Sequence, residues 1–146
     1  MNRLPAWCIA LLLVLAALPA LAQERPYKDG PVTIVSSVKL VDGQFENYME
    51  YLNSNWRPVM AEASKAGLVT EYHVYQAQAH NPNEPDLYLV VTYPNMATFD
   101  NLTDTMDQIG AKVTKQNYKQ ADEASGKRTV MRTIMGEMLV RELVFK

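Results

Sequence analysis

Hydrophobic residues in this chain repeat with two different periods, and the order in which those periods alternate leaves few folds open. From Val32 to Leu40 the period is two: Val32, Ile34, Val38 and Leu40 alternate with Thr33, Val35, Ser37 and Lys39, as in a strand with one buried face. Asp42-Gly43 closes it. The spacing then changes to three and four through Phe45, Tyr48, Met49, Leu52, Trp56, Val59, Met60 and Ala63, the stripe of an amphipathic helix. Pro58 has no N–H and restricts Arg57, which predicts a kink or a fresh start near Asn55–Pro58. Gly67 supplies the helix stop.

Alternation returns from Val69 to Ala79, with Tyr72 and Val74 set against Glu71, His73 and Tyr75. After a turn-rich His80–Asp86 segment it returns again, with Leu87, Leu89, Val91 and Tyr93 against Tyr88, Val90 and Thr92. Two strands joined by such a loop predict a hairpin. Met96, Phe99, Leu102, Met106, Ile109 and Val113 form a second helical stripe running toward Tyr118. The polar stretch from Lys119 to Lys127 has no period that assigns it. Met131, Met135 and Met138 stand at helical spacing and suggest a short extra helix. A last strand is expected over roughly Glu137–Phe145.

The resulting order is β-α-β-β-α-β in an α+β fold. A split βαβ connection places the third strand between the first and second, in spatial order 4-1-3-2, a ferredoxin-like four-stranded antiparallel sheet with two helices on one face. Ile34, Val38, Leu89, Val91, Val140 and Val144 are assigned to the helix side. The other face is expected to carry Val35, Ser37, Glu71, His73, Tyr75, Tyr88, Val90, Thr92, Leu139, Arg141 and Leu143. That set is too apolar to leave in water, and packing it on the same face of a second copy would hide it as a two-fold homodimer.

The element order, Trp56-Arg57-Pro58 in the long first helix, the Ala66-Gly67 break and the final Glu137-Met138-Leu139-Val140 resemble the dimeric α+β barrel superfamily over about 32–145. The resemblance implies a barrel closed by two sheets. The superfamily holds cofactor-independent monooxygenases, muconolactone isomerase-like enzymes and haem-binding or haem-degrading members, and no catalytic motif of these branches is matched here.

The N-terminus is an address. Met1-Asn2-Arg3 precedes an apolar run from Ala6 to Leu18, then Pro19 and Ala20-Leu21-Ala22, the layout of a signal peptide over residues 1–22. The run is shorter than the ~20 residues that span a bilayer, so no membrane association is expected after cleavage. A polar lead-in over 23–31 and one domain over 32–146 would follow, secreted or periplasmic. Cys8, the only cysteine, would leave with the signal. The 14 basic and 16 acidic side chains argue against a nucleic-acid partner. Two histidines seven residues apart and no remaining cysteine give no metal-ligand spacing. A glycine-rich phosphate loop and a Gly-x-Ser-x-Gly elbow are both lacking. No cofactor is expected.

The candidate site is the predicted barrel interior. His73 could exchange protons near neutral pH with Glu71 as its orienter or as a base, and Arg141 could hold a carboxylate or phenolate. Tyr75, Tyr88 and Ser37 would line the space, and Trp56 would reach it from the helix kink. The leading expectation is an exported homodimer holding a small apolar or aromatic ligand. One alternative is a cofactor-independent oxygenase or isomerase acting on a phenolic or enolisable molecule. The other is a structural or interaction protein without a ligand. Glu71 with Arg141 as a plain ion pair, and Trp56 as core, are the simpler roles weighed against these.

Overall fold

The computed structural model describes residues 24–146, so the expected signal peptide lies outside the described residues. Four strands, β1 (Tyr27–Leu40), β2 (Glu71–Gln76), β3 (Leu87–Tyr93) and β4 (Arg132–Phe145), form one antiparallel sheet in the order β2-β3-β1-β4. Four α-helices accompany them: α1 (Phe45–Tyr51), α2 (Arg57–Lys65), α3 (Leu102–Thr114) and α4 (Tyr118–Lys127). This is a ferredoxin-like α+β fold.

The sheet stays open, which corrects the expected α+β barrel. β2 and β4 are its two edges, and no strand pairing joins them.

Local chemistry explains most element boundaries. Between α1 and α2 the helix does not break; Leu52–Trp56 widens into a π-helical stretch just ahead of Pro58, which has no N–H to continue an α-helical ladder. Gly67, at φ +76°, ends α2 with its N–H on the Ser64 carbonyl while the Leu68 N–H reaches Ala63. The second stripe divides into a 3-10 turn (Met96–Phe99) and α3, which Lys115 closes in the left-handed region at φ 61°. Asn117 starts α4 with a reciprocal box. Its side chain accepts from the Gln120 N–H at 2.9 Å, and its own N–H donates to Gln120 Oε1 at 3.0 Å.

Two terminal expectations change. β1 begins at Tyr27, so part of the supposed lead-in is strand, with a register shift between Asp29 and Val32. There is no helix over Met131–Met138. The extra helix is α4, followed by a 3-10 turn (Arg128–Val130), and β4 starts at Arg132. Methionines fit either period, so their spacing alone carried no phase.

The core lies between the helices and one face of β3 and β1. One cluster holds Met60, Ala63, Val69, Val91, Tyr93 and Ile109; the other holds Val38, Tyr48, Leu52, Leu87 and Leu89. Trp56 packs against both, its ring edge-on to Tyr72 at 5.8 Å. Asp86 ties the hairpin to β1, accepting from the Leu40 N–H at 2.8 Å and from Lys39 Nζ at 3.0 Å. Lys112 of α3 pairs with Glu62 of α2 and holds the two helices together.

Candidate functional site

Register places the predicted site residues on a grid. Directly paired residues of an antiparallel sheet point to the same side. Tyr75, Tyr88 and Ser37 are consecutive partners across β2, β3 and β1, with Gly136 of β4 completing the row. The next row is His73, Val90, Val35 and Met138, and the third is Glu71, Thr92, Thr33 and Val140. All twelve lie on the face opposite the helices, and Thr33 and Thr92 share a hydroxyl hydrogen bond of 3.0 Å. The structure therefore brings Ser37, Glu71, His73, Tyr75 and Tyr88 onto one surface.

Arg141 and Trp56 do not join them. Arg141 is paired with Val32, a core residue on the helix side, and its Nη1 donates to Asp29 Oδ2 at 2.8 Å. Leu139 likewise pairs with Ile34 on that side, whereas Val140 pairs with Thr33 on the open side. This reverses the expected facing of β4. Its centre reads Met138-Leu139-Val140, apolar on both faces, so alternation had no phase to give. An extra residue at Met135, between the Ile134–Val38 and Gly136–Ser37 pairs, shifts the strand again. Trp56 stays on the helix side against Tyr72 and meets His73 only along the groove at the β2 edge.

The open face is a solvated surface. His73 Nε2 stands 3.8 Å from Glu71 Oε2, and the side chains are 51% and 69% exposed. Tyr75 is also exposed, its ring 5.7 Å from that of His73. One groove, about 390 Å³, is lined by Glu71, Thr33, Thr92 and Glu142, and another, about 340 Å³, runs along the β2 edge between His73, Tyr72, Asn53 and Trp56. With no barrel interior to line, the expected ligand-binding barrel is overturned, and the oxygenase or isomerase alternative goes with it. Among the described residues no three His, Cys, Asp or Glu side chains are placed to hold a metal. No helix among them is long and apolar enough to cross a membrane.

Two features escaped the sequence. Arg132 is buried at the start of β4, with its Nη2 at 3.3 Å from Ser125 Oγ and no partner for Nε. It lies by Tyr48, whose phenol burial pushes up in pKa, with Arg132 opposing the shift. The second is β4 itself. From Thr133 to Leu143 every residue is exposed. Among the described residues, seven of twelve exposed large apolar side chains lie on this strand: Ile134, Met135, Met138, Leu139, Val140, Leu143 and Phe145. Its substantial contacts are with β1 and the Arg128–Val130 turn. The double-sided apolar run was the available signal.

No protein-family model matches the chain, and no curated protein matches it. Among solved structures it is similar to HapK from Hahella chejuensis, 18% identical over 76% of this chain and 91% of that one, with a TM-score of 0.49. It is also similar to a dimeric ferredoxin-like protein from an uncultured marine organism. That protein is 8% identical over 82% of this chain and 90% of its own, with a TM-score of 0.51. The second likeness is one of fold, and it fits a ferredoxin-like sheet.

Proposed function

We propose that this domain is a self-association module whose working form is a homodimer built on β4. The observation that carries this is the concentration of exposed apolar side chains on one edge strand. Monomers rarely leave an apolar patch of this extent in water, and natural edge strands are usually short, charged or covered. β4 is 14 residues long, and its centre, Met138-Leu139-Val140, is uncharged and exposed. The ferredoxin-like protein from the uncultured marine organism is described as dimeric, which supports the same reading.

Sedimentation velocity over a concentration series tests it. A dimer at micromolar concentration is expected, with Met138→Glu shifting the protein to monomer while its far-UV circular dichroism is kept. A wild-type protein that remains monomeric at tens of micromolar would refute the proposal.

A further inference from the structure

We infer that two copies join edge to edge, β4 pairing antiparallel with β4 of a second copy about a two-fold axis through Leu139, so that two open sheets become one continuous sheet of eight strands. This rests on the self-association proposed above and specifies its geometry. Among the described residues the outer edge of β4 is free: the strand is paired through β1 alone. Unpaired backbone N–H and C=O groups along such an edge are a template for another strand.

Charge fixes the register. A two-fold axis perpendicular to the sheet keeps the helices of both copies on one side and pairs residues of like facing. With the axis at Leu139, Leu139 meets its own counterpart, and Met138 meets Val140 in both directions. Glu137 then meets Arg141 twice, once on each side of the axis. Beyond them Met135 faces Leu143. From Glu137 to Arg141 every apolar residue meets an apolar one and each charge meets its opposite, and the next pair sets Glu142 against Gly136, which has no apolar side chain. Moving the axis to Val140 sets Glu137 against Leu143 and Leu139 against Arg141. Moving it to Met138 sets Glu137 against Leu139 and Met135 against Arg141. Both leave charges facing apolar side chains.

The two charged groups are already held in place within the chain. Ser36 Oγ donates to Glu137 Oε1 at 2.7 Å, and Asp29 Oδ2 accepts from Arg141 Nη1 at 2.8 Å. Glu137 and Arg141 share the facing of Leu139, because their partners on β1 are Ser36, Val32 and Ile34. One carboxylate oxygen of Glu137 and the remaining guanidinium N–H groups of Arg141 stay available for the second copy.

The test uses the full chain carrying Cys8→Ser, which leaves no native thiol, and Leu139→Cys. Residues directly opposed across an antiparallel pair have Cα atoms ~4.5–5.5 Å apart, within disulfide reach. Oxidised glutathione should convert the reduced dimer to a covalent one in high yield. Leu143→Cys in the same background should not cross-link, because its counterpart lies eight residues along the strand, about 26 Å away. Glu137→Arg should weaken the dimer roughly tenfold or more, since like charges then face each other twice. A dimer by sedimentation that cross-links at position 143, or fails to do so at 139, overturns edge pairing and leaves self-association standing. A monomer at every concentration overturns both.

Discussion

Leu87→Ala and Leu139→Ala remove the same three carbon atoms from the same sheet and should have very different consequences. Leu87 is 1% exposed and lies in a cluster with Val38, Tyr48, Leu52 and Leu89. It sits on β3, which has a strand on either side and helices above, so its surroundings have little freedom to collapse. Loss of transfer free energy at ~0.8 kcal/mol per carbon amounts to about 2.4 kcal/mol. A residual cavity of roughly 50 Å³ at ~24 cal/mol per Å³ adds about 1 kcal/mol. The expected cost is therefore about 3.5 kcal/mol, or a fall in Tm of roughly 14 °C for a domain of this size. Leu139 is 49% exposed, so its removal from one isolated copy should cost about 1 kcal/mol or less. If a second copy covers it, that cost must grow with protein concentration as the dimer fills. Urea unfolding of the wild type and both variants, from sub-micromolar to tens of micromolar protein, reads both quantities. The packing argument fails if Leu87→Ala costs under 1 kcal/mol. The interface argument fails if the effect of Leu139→Ala is the same at every concentration.

Three further outcomes are expected. Burial tends to raise the Asp86 carboxyl, but the Leu40 N–H and Lys39 outweigh it and hold the group below its ordinary 3.8. Its contribution is therefore full above that value and lost as pH falls through the lower folded value. Asp86→Asn should cost about 1–2 kcal/mol at pH 7, a deficit that shrinks in urea titrations toward pH 3; a deficit independent of pH would count against the assignment. Gly30→Ala should destabilise by about 1–3 kcal/mol, because an added Cβ would stand 2.8 Å from Val144 Cγ2 and 3.1 Å from the Glu142 carbonyl. An unchanged Tm would show that β1 and β4 part easily there. Arg132→Met should be neutral or stabilising, since it removes a buried cation that has no acidic partner among the described residues and an unpaired Nε; a loss above about 2 kcal/mol would mean that Arg132 organises Tyr48 and Ser125.

The two apolar periods by themselves determined the βαββαβ order, because each period is a property of a local segment and the buried face selects its own residues. Strands β2 and β3, the stop at Gly67 and the grouping of Glu71, His73, Tyr75, Tyr88 and Ser37 on one face follow from alternation with a clear phase. The phase fails in β4, where Met138, Leu139 and Val140 are apolar in succession and Met135 adds an unmatched residue. Only pairing with β1 could decide that Leu139 and Arg141 share the side of Ile34 and Val32. Burial of Arg132 and the π-helical widening before Pro58 depend on distant neighbours in the same way. Whether the sheet closes is likewise a long-range property: it depends on strand number and on which edges find partners, and no local repeat encodes either.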